Sequence, residues 1–375
     1  MNVAITSGHW EVRRSKLGHP FTVWIEPVPR IPDELADSIV YLYPSEAAAQ
    51  DGLQQGGSGF LCGADLSVGR LMATYVVTNK HVIRSGAMIA RLNSRDGTHD
   101  ILPLDGAEWF EHPDGDDIAI CPVGLNFAAH RQTVFPLSQC VSEEWVKQFD
   151  IGLGDDVFMI GRFVGHEGRL QNTPSVRFGV ISQTPSEPII QEDGFGQISY
   201  LVEARSIPGY SGSPVFITIE SHGPKPNLNP QLGQDLQDMV IKQIGWMKGR
   251  AGPAGFRYGP FLLGIDYCHL YDKQRIWSDE TSPPRLVSKD WFVKGNSGAM
   301  GVIPAWKIKE MFEKHPKLRQ HLVSVREQAR RDQSTSRASQ DVAGSDLPAN
   351  DANPKHREDF NSLVGAAVRK PAQED

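Results

Sequence analysis

Gly209-Tyr210-Ser211-Gly212-Ser213-Pro214 is the stretch on which the reading of this chain turns, and it runs directly into Val215-Phe216-Ile217. A serine between glycines, followed at once by a proline and an apolar run, sits on a tight turn that feeds a strand. A serine hydroxyl is a poor nucleophile unless a neighbouring base takes its proton during attack. An imidazole with a pKa near neutrality suits that task, and a carboxylate behind the ring fixes its tautomer and stabilises its charged form. Both groups occur upstream, as His81 in Thr78-Asn79-Lys80-His81-Val82 and as Asp116-Asp117 ahead of Ile118-Ala119-Ile120.

Each motif has a bland reading of its own. Glycine-rich turns favour serine for purely conformational reasons, a histidine at a strand end is commonly a surface residue, and acids at a strand start are commonly solvated. Their joint occurrence in the order His, Asp, Ser favours chemistry. Ser211 is then the nucleophile, His81 its base and Asp117 the orienting carboxylate. Asp117 is preferred to Asp116 because the side chain directly before the apolar strand is expected to be the buried one. Gly209 would let the backbone turn so that the amides of Gly209 and Ser211 point at one place, where they could stabilise an oxyanion. Ser213 is a competing hydroxyl that the glycines take out of alternation, and it is read as structural.

The bulk numbers agree with a folded, turn-rich protein. The 375 residues include 36 Gly and 26 Pro, with 39% apolar and 22% charged residues and a formal net charge of −7. That charge argues against nucleic acid as a partner, since no pervasive basic surface meets phosphates. No apolar stretch approaches the roughly 18 residues that cross a bilayer, so no membrane is expected. Cys62, Cys121, Cys140 and Cys268 are scattered without a C-x-x-C pair. They read as buried small apolar residues in a reducing compartment, and cytoplasmic residence is expected.

Short apolar runs bounded by Gly and Pro recur along the chain: Ser38–Tyr43, Gly56–Cys62, Met72–Thr78, Met88–Leu92, Asp117–Val123, Val157–Ile160, Val176–Ser182, Ile198–Val202, Phe261–Ile265 and Gly298–Pro304. Such spacing predicts an all-β barrel or sandwich. Gly56–Cys62 and Met72–Thr78 read as a long-looped hairpin, and Asp272–Lys289 as a loop. The expected organisation is an N-terminal extension over 1–35, packed on the main body, and a central domain over 36–305. Residues 221–258 read as an inserted surface loop with one short helix near Leu236–Ile244. Trp306, Ile308, Met311 and Phe312 then fit a helix. Leu318, Leu322, Val325 and Ala329 fit a second one begun at Pro316, closing a helical segment over 306–331. From about Asp332 the composition predicts a disordered tail over 332–375.

Two other hydrolase grammars fail. The Gly-x-Ser-x-Gly elbow needs a glycine where Ser213 stands and a helix where Val215-Phe216-Ile217 continues as strand. Metal hydrolysis has no His-Glu-x-x-His or comparable ligand spacing to rest on.

The residues now assembled resemble those of the trypsin-like serine peptidases, in particular the bacterial Deg-type branch of the chymotrypsin fold. The matches are Gly57-Ser58-Gly59-Phe60, Thr78-Asn79-Lys80-His81-Val82, Asp117-Ile118-Ala119-Ile120, Gly154-Asp155-Asp156-Val157, Gly179-Val180-Ile181-Ser182 and Pro208–Pro214, in the family's order over about residues 38–305. The resemblance implies two antiparallel six-stranded β-barrels, one over about 36–145 and one over about 150–305, with the cleft between them. It implies catalytic His81, Asp117 and Ser211, oxyanion amides from Gly209 and Ser211, and no separate cofactor.

It also implies a specificity pocket walled by residues 203–207, 264–268 and 298–302, with Arg205, Asp266 and Ala299 as its candidate residues. Arg205 could select acidic side chains there, or point outward and pair with Glu203 or Asp266. The chain departs from the family in having Ser213 where glycine is common and in carrying the 221–258 insertion. In place of the PDZ domains usual after a Deg-type protease, its C-terminal length reads as helical and then disordered. The expected activity is a serine endopeptidase acting through an acyl-enzyme on protein or peptide substrates, with a regulatory protein partner in view. The alternative is a catalytically silent or latent trypsin-fold module that binds protein.

Overall fold

The computed structural model describes residues 3–6, 9–12, 31–53, 56–163, 166, 168–191, 194–204, 206–220, 257–278 and 283–345. A small antiparallel hairpin of β1 (Val3–Thr6) and β2 (His9–Val12) comes first and pairs with neither main sheet. The N-terminal half then builds an eight-stranded sheet from β3 (Ile39–Tyr43), β4 (Gly57–Asp65), β5 (Met72–Thr78), β6 (Ile89–Asn93), β7 (His99–Pro103), β8 (Phe110–Glu111), β9 (Ala119–Pro122) and β10 (Phe135–Pro136). Its order is β7-β6-β3-β4-β5-β9-β8, with β10 laid parallel to β4 off that path.

The C-terminal half comprises β11 (Asp156–Gly161), β12 (Ser175–Gln183), β13 (Pro188–Ile190), β14 (Gly196–Ile198), β15 (Tyr200–Glu203), β16 (Pro214–Glu220), β17 (Arg257–Arg275), β18 (Trp277–Ser278), β19 (Arg285–Leu286) and β20 (Phe292–Pro304). Six of these close a barrel in the order β11-β12-β15-β20-β17-β16. Closure comes from the β11–β16 ladder, in which Phe158 faces Phe216. The all-β expectation therefore holds, and one six-stranded barrel is present. In the N-terminal half, end strands β7 and β8 do not pair with each other among the described residues.

Side-chain alternation explains how that sheet is held. On β3, Ile39, Tyr41 and Tyr43 enter the main core while Val40 and Leu42 enter a second cluster on the opposite face. On β5, Tyr75 and Val77 point one way and Val76 the other. A strand with both faces buried reads as a continuous apolar run, which is what residues 75–77 show. The main core lies between the two halves, because barrel residues Phe158, Phe216, Leu262 and Ile265 join it from the other side. Phe216 packs with its ring 5.4 Å from those of both Phe135 and Phe158.

Two helices close the described chain. Helix Trp306–Lys314 buries Ile308, Met311 and Phe312 in that main core, and helix Pro316–Ser345 adds Leu318. The Phe312 ring meets Tyr75 edge-on at 5.0 Å. These helices thus wedge onto the seam rather than trailing from the barrel. No helix among the described residues is long and apolar enough to cross a membrane.

Two expectations need correcting. The predicted loop over Asp272–Lys289 is largely a hairpin arm, because β17 runs on to Arg275 and pairs with β20 from Phe292. The strand residues 272–275 read Asp-Lys-Gln-Arg, so apolar periodicity could not reveal them. The predicted disorder from Asp332 is also too early, since the second helix continues to Ser345. Extending a nucleated helix costs little per residue, and Arg331–Glu327 and Gln328–Asp332 pairs at i,i+4 spacing support it. The 221–258 insertion, with its expected short helix, falls outside the described residues but for 257–258 at the start of β17.

Candidate active site

Strand β5 ends at Thr78, and the five-residue helix Lys80–Arg84 begins just beyond it. This transition carries His81 to the surface, where its side chain is 48% exposed. The Asp117 carboxylate meets it twice. One oxygen accepts the His81 backbone N–H at 2.9 Å, and the other lies 2.6 Å from ring Nδ1. A carboxylate only accepts, so Nδ1 carries the proton and Nε2 keeps its lone pair outward. That is the tautomer a general base requires.

Asp117 is itself held at both ends of its backbone. Asn79 Nδ2 donates to its carbonyl at 2.9 Å, and its N–H donates to Gln197 Oε1 at 3.1 Å. Asp116 points elsewhere, buried beside His112 and Lys307. The structure thus places Asp117, and not Asp116, at the imidazole. Burial is not what separates them, because Asp116 is the more enclosed of the two, at 5% against 18% side-chain exposure.

Ser211 sits on a turn clamped to strand β4. Ser58 N–H donates to the Ser211 carbonyl at 2.8 Å, and Ser58 Oγ donates to the Gly209 carbonyl at 2.8 Å. Thr78 Oγ1, three residues before His81, donates to the Ser58 carbonyl at 2.7 Å. The serine turn and the histidine helix therefore hang from one strut. Gly212 has a φ of 87° and lies so close that a Cβ would stand 2.0 Å from the Ser58 carbonyl oxygen. Only glycine fits there. Among the described residues no hydrogen bond joins Ser211 Oγ to the His81 ring.

The turn leaves two amides open. Tyr210, Gly212 and Ser213 donate their N–H groups to Ile207, Asp266 and Tyr210 carbonyls respectively. Gly209 and Ser211 donate theirs to no acceptor among the described residues, and Gly209 has the positive φ of 96° that turns its amide. Two unengaged N–H groups next to a serine hydroxyl can receive a developing oxyanion. Ser213 is fully buried, its hydroxyl packed against Gly161 of β11.

Of the residues expected in the specificity pocket, Arg205 lies outside the described residues. Ala299 stands on β20 opposite Glu203. Asp266 is fully buried on β17, where Ser206 Oγ donates to Oδ2 at 2.7 Å while Oδ1 has no partner. Burial pushes its carboxyl up to about 7, against smaller lowering by the Ser206 hydrogen bond and the charge of His81.

His112, Asp114 and Glu310 form a trio whose ligand atoms lie within 4.8 Å of one another. Ammonium groups already serve it, with Lys314 at 2.9 Å from Asp114 and 2.7 Å from Glu310 and Lys307 at 3.4 Å from Glu310. The cluster is an ion-pair network. Burial lowers the pKa of His112 within it.

Reading the sequence alone passed over Ser58 as a strut and Gln197 altogether. Ser58 stood in a quoted motif whose glycines drew the attention. Gln197 carries no local signal, since its partners are 80 and 81 residues away.

Residues 57–219 match the family model described as the trypsin-like peptidase domain, a span that includes His81, Asp117 and Ser211. No curated protein sequence matches the chain. Among solved structures it is similar to Deg5, with 16% identity over 63% of this chain and 81% of that one and a TM-score of 0.34. It is also similar to an inactive mutant form of Rv3671c from M. tuberculosis H37Rv, with 13% identity over 78% of this chain and 96% of that one and a TM-score of 0.36. With the matched span running through the first sheet and into the barrel, the chain carries a trypsin-like peptidase domain.

Proposed function

We propose that the chain is a serine endopeptidase in which Ser211, His81 and Asp117 act as a triad. The observation that carries this is the two-point grip of Asp117 on His81, through the ring at 2.6 Å and the backbone at 2.9 Å, beside a serine turn with two unengaged amides. Ser211 Oγ attacks the scissile carbonyl while His81 Nε2 takes its proton. The resulting oxyanion settles on the Gly209 and Ser211 amides. As the intermediate collapses, His81 returns the proton to the leaving amine and an acyl-enzyme remains, which water hydrolyses by the same steps. Asp117 keeps the ring in its tautomer and stabilises the imidazolium. Direct Ser–His hydrogen bonds are often long without substrate and tighten in the Michaelis complex. The chemistry needs no cofactor, and the substrate is a protein or peptide.

The test is Ser211→Ala against the wild-type protein on a peptide library, with a fluorophosphonate probe as a direct label of the hydroxyl. Loss of turnover and of labelling together, with an unchanged unfolding midpoint, is expected. Undiminished peptide cleavage by Ser211→Ala would falsify the assignment.

A further inference from the structure

Hairpin β13–β14 of the C-terminal half reaches across to the loop that precedes β9 in the N-terminal half. Its Gln197 is 1% exposed and uses both ends of its amide there. Oε1 accepts the Asp117 N–H at 3.1 Å, and Nε2 donates to Asp116 Oδ1 at 2.6 Å and to the Ile198 carbonyl at 3.2 Å. The second oxygen of Asp116 is taken by Lys307 Nζ at 3.2 Å and lies 3.1 Å from His112 Nδ1. Lys307 belongs to helix Trp306–Lys314, which docks on the main core and reaches the same loop a second time through Lys314 Nζ, 2.9 Å from Asp114. The contacts form one line from that helix through Asp116 and Gln197 to Asp117 and His81.

We propose that Gln197 is a positioning residue for Asp117, clasping the Asp116-Asp117 pair across the seam and joining it, through Lys307, to the first C-terminal helix. The proposal rests on the triad reading given above. Asn79 fixes the carbonyl end of Asp117, so Gln197 supplies the remaining restraint on that residue's backbone. A carboxamide serves both neighbours, because its oxygen accepts from the Asp117 N–H while its NH2 donates to the Asp116 carboxylate. Both Asp116 oxygens have partners, which makes the residue an anchor rather than a second base.

The charged and titratable groups that face the clasp are few. Asp116 faces His112 and Lys307, with Glu310 behind them. Asp117 faces His81, with Arg84 and Cys268 near enough to feel its charge. Asp266 lies beyond the imidazole.

The experiment measures kcat, KM and pH profiles on a labelled denatured protein for wild type, Gln197→Ala, Gln197→Glu and Ser211→Ala, with urea midpoints alongside. Gln197→Ala should lower kcat by about 10- to 100-fold with KM within about twofold, the scale of a misplaced catalytic group. Its kcat/KM profile should move its acidic limb to lower pH, because a misaligned Asp117 stabilises the imidazolium less. Gln197→Glu keeps the acceptor for Asp117 but sets a second carboxyl against Asp116. Its rate should approach wild type where the two share a proton and fall away as pH rises.

Wild-type kcat and an unmoved profile in both Gln197 variants overturn the clasp. If Gln197→Ala does not fold, the nearly isosteric Gln197→Glu decides alone. An inactive Ser211→Ala beside Gln197 variants of wild-type behaviour sinks the clasp and spares the triad. A fully active Ser211→Ala removes both.

Discussion

Replacing Asp266 by Asn should change the way stability depends on pH, and the size of that change follows from where the carboxyl lies. Asp266 is enclosed on β17, its backbone bonded to Gly212 and Ser213 and its carboxylate given one hydrogen bond, from Ser206. Burial lifts its pKa from 3.8 to about 7. In the unfolded chain the group ionises near pH 4, while in the folded protein it keeps its proton to about pH 7. The folded state therefore binds the extra proton, and stability must fall as pH rises between those values.

Below about pH 4 both states are protonated and the group contributes no penalty. Through the window the loss runs at about 1.4 kcal/mol per pH unit, reaching roughly 4 kcal/mol above pH 7, where it levels off. Asn has no such titration, whatever constant cost its amide adds. The assay is urea unfolding of wild type and Asp266→Asn from about pH 4 to pH 8, compared as a difference so that other groups cancel. The wild-type advantage should decline by about 4 kcal/mol across the window. A difference that stays flat to within about 1 kcal/mol would refute the enclosed-acid argument, as would a slope of the opposite sign.

Two further outcomes follow from the packing. Gly212→Ala forces a side chain into a left-handed backbone and onto the Ser58 carbonyl, and should cost at least about 2 kcal/mol, seen as a lower urea midpoint with peptidase activity lost in step. Met311→Ala empties a fully buried position where the C-terminal helix meets the main core. It should cost about 2–5 kcal/mol in the same assay, and a cost below about 1 kcal/mol would show that the helix is not integral to the fold.

The strands were legible in the sequence because each is short, apolar and fenced by turn residues. Met72–Thr78 was readable to the residue. The two C-terminal helices were legible for the same kind of reason, since Ile308, Met311 and Leu318 keep helical spacing after a proline. The residues proposed as a triad stand out by residue type and order, which is all that chemistry displays in one dimension. What stayed hidden was whatever depends on a distant partner. Nothing local marks Gln197 as the neighbour of Asp116, or Lys307 as the far end of the same line. Asp266 looked like a pocket charge that Arg205 might neutralise, because sequence reports a charge but not its depth. The arm of β17 and β20 from Asp272 was missed because its ladder is held by the backbone while residues 272–275 on β17 are all polar.

The position of β20 in the barrel has a consequence for how the protein is made. Among the described strands it is the last to leave the ribosome, yet it sits between β15 and β17. Until residue 304 has emerged, those two strands have open edges and the cylinder is unsealed. His81, Asp117 and Ser211 are synthesised well before that point. Whatever depends on the closed cylinder therefore waits for residue 304, although all three of those residues have already been made.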